Sequence, residues 1–268
     1  MPQYLLGYGF IILRVGGAAL LFYLTCLFIQ KEKIDWKAHG VRFLLCSVFG
    51  TAANMLLFFK GLEYTNPING AVLMLATPIF VVVLNSVIYK EKTSAKQKIG
   101  LITSLLGALL LMSHKNFQFT SKSFIGDIMI TVNAMFYAIY LVLAKKLVKH
   151  YHPFIVSKYT FLIGFLLVIP FGYKELTMTN WDMPTDIVLK IIFIIVCTTY
   201  ITYILNAWAI AKAGPNIVGS YIYLQPLLAS LIAIYLGTDN LTLLKTLSSI
   251  LIIIGVYLTT YKKKHEPT

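Results

Sequence analysis

Nine apolar runs, most of them about twenty residues long, divide this chain from end to end: about 4–29, 41–60, 67–89, 97–113, 124–144, 153–172, 187–209, 215–236 and 242–261. A helix crossing the ~30 Å hydrocarbon core of a bilayer needs ~20 such residues at 1.5 Å each. No water in that core can satisfy a free backbone, so runs of this length cross it as helices. Barrel strands would instead show ~10-residue alternation of apolar and polar positions. The fourth run is the weakest, with a clean stretch only from Ile99 to Met112, but Lys96 and Lys98 can snorkel to the interface and extend it. The longest polar stretch, Gly172 to Asp186, is only a loop. The expected fold class is an all-α polytopic membrane protein.

The charge inventory says the same. Of 268 residues, 58% are hydrophobic and 12% charged, whereas a soluble domain keeps about 25% charged to cover itself. The net charge of +13 lies in short loops between apolar runs, which is an orientation signal and not a nucleic-acid-binding face. One set of alternate loops holds Lys31, Lys33, Lys37, Arg42, Lys90, Lys92, Lys96, Lys98, Lys145, Lys146, Lys149, Lys212 and Lys262 to Lys264, fifteen residues. The other holds six, Lys60, Lys115, Lys122, Lys174, Lys190 and Lys245. The first set is expected to be cytoplasmic, in a multi-pass protein of the plasma membrane with its C-terminus inside and its N-terminus outside. Cys26, Cys46 and Cys197 all lie in apolar runs and read as packing residues. The opening MPQYLLGYGFIILR has neither a basic n-region nor a small-residue cleavage site, so no signal peptide is expected.

An internal repeat organises the runs. Sliding the chain by 148 residues aligns 61–80 with 209–228 without a gap, so that Pro67 meets Pro215 and Pro78 meets Pro226. Further along, Glu91 meets Asp239 and Gly107 meets Gly255. Glu91 falls on the lysine-rich side and Asp239 on the other, so equivalent helices cross in opposite senses, as in the inverted repeats of many secondary transporters. The expected units are 1–113, with four helices, and 124–261, with five. The same shift places the counterpart of run 124–144 before residue 1, so by its own symmetry the first unit lacks its first helix.

Several segments together carry a family resemblance: the Arg-bearing FIILRVGGAALLF (10–22), KGLEYTNP (60–67), ATPIFVVVLNSVIYKEK (76–92) and GLITSLLGALLLMS (100–113). The second half repeats the last two as LQPLLASLIAIYLGTDNLT (224–242) and SSILIIIGVYL (248–258). In this order and spacing the chain resembles the drug/metabolite transporter superfamily, specifically its EamA-like branch. The resemblance implies a ten-helix bundle of two inverted five-helix repeats around a central substrate cavity, of which nine helices are visible here. It also implies export of amino acids or other metabolites. The chain departs from the family's pattern in its absent first helix and in Asp239, where glutamate is usual after the second proline helix.

Polar groups within a span are expensive, so they are expected to face the bundle interior or a water-filled cavity. Asn133, Tyr137 and Tyr140 share one face of the fifth run; Tyr200, Tyr203 and Asn206 form a slanting stripe on the seventh; Tyr221 and Gln225 stack on the eighth, with Asn54 on the second. The expected substrate-lining set is Asn54, Asn133, Tyr137, Tyr203, Asn206, Tyr221 and Gln225, suited to a small amphipathic solute. For any one of these, helix–helix hydrogen bonding worth about 0.6 kcal/mol is the plainer reading. Pro78 and Pro226 lie mid-run at repeat-equivalent positions, and matched helix breaks point to a midplane site. Arg14, near the middle of the first run, costs about 2.5–3.5 kcal/mol unpaired; it either binds an anion or anchors a helix contact.

No catalytic constellation is visible. His39, His114, His150, His152 and His265 lie in loops or the tail, no metal-ligand pair or phosphate loop appears, and neither an enzyme nor a metal or other cofactor is expected. Glu63, Asp127 and Asp186 sit near the outer boundary, leaving Asp127 the one weak candidate for a proton relay. The expected function is a secondary transporter that exports amino-acid-like or amphipathic metabolites across the cytoplasmic membrane by alternating access. Its expected partners are a small-molecule substrate and lipid, with no nucleic acid. The competing expectation is a truncated, non-transporting membrane protein or scaffold.

Overall fold

A computed structural model describes residues 4–29, 32–113, 123–238, 240 and 242–260. Asp239, His114, His265 and the loop lysines 31, 115, 122 and 262–264, all used above, lie outside the described residues. Within them the chain is an all-α polytopic membrane protein with nine helices long and apolar enough to cross a bilayer: Gly7–Cys26, Trp36–Tyr64, Pro67–Tyr89, Ala95–Met112, Phe124–His150, Pro153–Thr177, Thr185–Ala213, Pro215–Tyr235 and Leu243–Thr260. These are called the first to ninth spans.

Local chemistry sets where the helices start, at or a few residues before the apolar runs. Asn66 accepts from the Asn69 backbone N–H at 2.7 Å, and Pro67 follows it, pre-set for the first helical position. Ser94 and Gln97 form a reciprocal capping box at the head of the fourth span. Asp35 caps the second span through the Ala38 N–H, which lets that helix begin five residues before the apolar run does.

Two kinds of irregularity break the spans, and both recur at the 148-residue spacing. The second span contains a π-helical segment, Val48–Ala52, and the seventh contains another, Ile194–Ile201; shifting the first by 148 lands on 196–200, inside the second. The third span is two helices, Pro67–Met74 and Thr77–Tyr89. The eighth is likewise split, Pro215–Ser220 passing through a 3₁₀ turn at Tyr221–Tyr223 into Leu224–Tyr235. Pro78 and Pro226, read from the sequence as marking helix breaks, each sit in the first turn of a helix that restarts within its span. A missing N–H costs nothing there, since first-turn donors have no intrahelical acceptor.

The largest core cluster is built from the first, second, fifth, sixth and seventh spans, around Phe22, Phe43, Phe161 and Leu141. A second joins the fourth and ninth spans to Tyr223 and Leu227 of the eighth. The fourth and ninth spans touch through their backbones: a Cβ at Gly100 would lie 2.5 Å from the Gly255 carbonyl oxygen, and one at Gly255 would strike Ser104. Gly100, Ser104 and Ala108, small residues four apart on the fourth span, are buried and pack inside the bundle. Outward faces carry Leu20, Val83, Val87, Ile102, Leu106 and Ile253, as lipid contact requires.

Candidate functional site

Residues from the first, second, fifth and seventh spans and from the two broken spans line a polar cavity of about 210 Å³. It is lined by Arg14, Asn54, Asn133, Tyr137, Tyr203, Asn206 and Gln225, with Thr198 and Thr202 from the seventh span. Met55, Phe58, Phe59 and Met74 supply its apolar wall. No aspartate or glutamate is among these lining residues.

Specific contacts hold Asn54, Asn133, Tyr137, Tyr203, Asn206 and Arg14 in place. Asn133 donates its side-chain amide to the Asn54 carbonyl at 2.6 Å, and Asn54 returns a longer bond to the Asn133 carbonyl at 3.4 Å. Asn206 donates to the Tyr137 hydroxyl at 2.9 Å. The Tyr203 hydroxyl donates to the Gly50 carbonyl at 2.8 Å, within the first π segment. That position is glycine for a reason: a Cβ would penetrate the Tyr140 ring packed on the backbone there. Arg14 donates from Nε to the Thr199 hydroxyl at 2.7 Å, within the second π segment. π segments concentrate at functional sites, and here each offers an oxygen to a side chain from across the bundle.

Of the residues expected to line a site, Tyr221 is the one placed outside this cavity. It is 51% exposed and borders an adjoining groove of about 300 Å³, together with Leu205, Ala209, Ile217 and Asn206. Asn206 borders both spaces. Pro78 is buried and Pro226 half-buried, and neither lines the cavity; Met74 and Gln225, beside the breaks they mark, do. Tyr140 and Tyr200 point elsewhere: Tyr140 packs near Tyr203, and Tyr200 shares a hydrogen bond with Thr25 at 2.6 Å. Sequence reasoning passed over Thr199, whose position was nonetheless signalled, because Thr51 lies 148 residues before it.

The ends of the bundle are tied between residues before 113 and residues after 124. At the lysine-rich end, Glu91 accepts from Lys145 and from Asn85, the latter at 2.9 Å. Burial works against the Glu91 charge, but the hydrogen bonds from Lys145 and Asn85 and the charges of Lys145 and Lys149 outweigh it, holding its pKa below the ordinary glutamate value. Nearby, Glu32 accepts from the His152 backbone N–H at 2.9 Å. At the opposite end, buried Asp127 accepts from Thr65 at 2.6 Å and from Ser123 at 3.1 Å. Glu175 there accepts from the backbone N–H groups of Tyr8 and Gly9, at the positive end of the first span. Asp127 is engaged with these hydroxyls and is not part of the cavity wall. Among the described residues no cluster of three or more His, Cys, Asp or Glu is assembled that could hold a metal.

Comparison with known proteins gives one consistent picture. Residues 2–113 and 124–261 match the EamA-like transporter family. The chain is 26% identical over 249 residues to the transporter YyaM of Bacillus subtilis, spanning 91% of this chain and 81% of that protein. It is 26% identical over 231 residues to a transporter of Archaeoglobus fulgidus, at 85% and 79% coverage. A crystal structure shares the fold with a TM-score of 0.78 and 14% identity, covering 95% of this chain and 87% of that one.

Proposed function

The chain belongs to the EamA-like transporter family, a membrane transporter by its relatives, and we propose that it exports a small amphipathic metabolite across the plasma membrane by alternating access. Residues 1–113 and 124–261 act as two inverted repeats, with the lysine-rich end and the C-terminus in the cytoplasm. Substrate binds among Asn54, Asn133, Tyr137, Tyr203, Asn206 and Gln225, with Tyr221 on the approach along the adjoining groove.

The observation that carries this reading is the cavity's construction. Polar groups from both halves converge on one mid-bundle space, beside helix breaks at matched positions in each half. Ties at both ends, Glu91–Lys145 on one and Thr65–Asp127 on the other, give alternating access its two gates. Opening toward either side means releasing one tie while the other holds.

Metabolite profiling of the medium from cells overproducing the protein tests this, against Asn206→Leu at matched membrane expression. Enrichment of a metabolite outside with the unmutated protein and not with Asn206→Leu is expected. Equal profiles from overproducing and control cells, with folded protein in the membrane, would sink the export reading and favour a non-transporting membrane scaffold. Loss of expression together with loss of export would make Asn206 a packing residue.

A further inference from the structure

We propose that the cavity selects a small organic anion and that Arg14 binds its carboxylate; this rests on the transport reading above and names its substrate class. Arg14 sits eighth in a first span that runs Gly7–Cys26, well inside the apolar run. A guanidinium stays charged in any protein environment, so it cannot escape the cost of burial by losing a proton. Buried charges are therefore found with a charged partner, or they are left for a ligand to neutralise.

Arg14 has no such partner among the described residues. Its one hydrogen bond runs from Nε to the neutral hydroxyl of Thr199. That hydroxyl gives its own hydrogen to the Ile194 carbonyl at 2.9 Å, which leaves it an acceptor for Arg14. An arginine carries five N–H donors; one is used, and the four on the two terminal nitrogens have no acceptor among the described residues. The side chain is only half-buried because it faces the cavity it lines, and no carboxylate shares that lining. The cavity thus carries one uncompensated positive charge among amides, hydroxyls and apolar groups.

A planar carboxylate answers this arrangement. Two oxygens can meet the two terminal nitrogens in the bidentate geometry that arginine favours. The rings of Tyr137 and Tyr203 and the side chains of Met55 and Phe58 leave room beside it for a compact apolar body. At about 210 Å³ the space falls below the ~300–1,000 Å³ of pockets that hold drug-sized ligands, so the solute is metabolite-sized. A purely structural arginine would be here for the Thr199 bond alone, and a neutral glutamine could supply one N–H to that hydroxyl without bringing a charge into the bilayer.

The test is thermal stability of the purified full chain in detergent, with two added mixtures. One contains the common amino acids with short mono- and dicarboxylates; the other contains their amides at equal concentration. The acid mixture is expected to raise the melting temperature of the unmutated protein and the amide mixture to leave it unchanged. Arg14→Gln, monodisperse and melting cooperatively, should bind the acids roughly 10- to 100-fold more weakly, the loss of a charge-assisted pair. Arg14→Lys should retain part of the response, which keeps the test informative if the glutamine variant does not fold. An equal response to amides, or an unchanged response of Arg14→Gln, overturns the proposal. No response to either mixture, in a protein that exports a metabolite in the medium assay, overturns the carboxylate assignment and leaves the transport reading standing. Absence of both response and export removes the two together.

Discussion

Asn54 and Asn133 each offer a side-chain amide to the other's backbone carbonyl, at 3.4 and 2.6 Å, both buried and on spans from different halves of the chain. The pair joins second and fifth spans at the wall of the cavity, so its contribution to stability and its contribution to transport are separable by mutation.

Asn133→Ala is expected to destabilise the protein by about 1 kcal/mol, because it leaves the Asn54 carbonyl without its shorter bond. Asn54→Ala removes the longer bond and should cost less. A double-mutant cycle read by thermal unfolding in detergent should show coupling, with the double variant less damaged than the sum of the singles. Strict additivity would mean that the two amides do not act as a pair.

Gly50→Ala should be worse than its one added methyl suggests. The new Cβ would occupy the near edge of the Tyr140 ring, in a core position with no freedom to swing away. A cost of about 1–3 kcal/mol follows from overpacking, and displacement of Tyr140 also disturbs Tyr203, whose hydroxyl bonds to the Gly50 carbonyl. Normal stability and normal export in this variant would show that the π segment has slack.

Glu91 gives a pH dependence of definite sign. Its pKa lies below the ordinary 4.5 in the folded protein, so its contribution to stability is complete above about that pH and is lost as pH falls through the folded value. The side chain is half exposed, so the effect is small. Compared with Glu91→Gln, the unmutated protein should melt higher at neutral pH, and the difference should shrink on acidification below about pH 4.5. A difference that grew toward acid pH would contradict the Lys145 and Asn85 contacts.

Asp127 separates a tie from a proton relay. Asp127→Asn keeps an oxygen for the Thr65 hydroxyl, so most stability should survive, whereas Asp127→Ala strands the buried Thr65 hydroxyl and should cost about 1–3 kcal/mol. Export by Asp127→Asn is expected to continue. Its abolition, in a protein that remains folded, would assign the proton pathway to this carboxyl group.

The nine spans were legible because bilayer insertion writes itself into hydropathy, with one third span, Pro67–Tyr89, matching the expected 67–89. The second began earlier than its apolar run, at Trp36, because Asp35 supplies a cap that hydropathy does not see. Helical periodicity put Asn133 and Tyr137 on a common face, and both line the cavity. It also put Tyr140 there, but one turn further along the backbone of Gly50 approaches and takes that ring. Tyr221 and Gln225 were read as stacked on a regular helix; the 3₁₀ turn at Tyr221–Tyr223 winds more tightly and swings Tyr221 into the neighbouring groove. The π segments themselves carry no residue signature. The 148-residue spacing that pairs Thr51 with Thr199 says that such segments should match, but not that they are there.

The bare crossing of Gly100 and Gly255 has a mechanical consequence for the proposed cycle. The fourth span belongs to one half and the ninth to the other, and at this point their backbones come together with only the small side chains of Ser104 and Thr259 beside the two glycines. The close approach continues along both helices, Gly107 meeting Ile252 and Ser248 one step further on. Neither helix can turn or slide against the other without their backbones separating. In the proposed cycle the fourth and ninth spans would therefore travel as one unit, although they come from different halves of the chain.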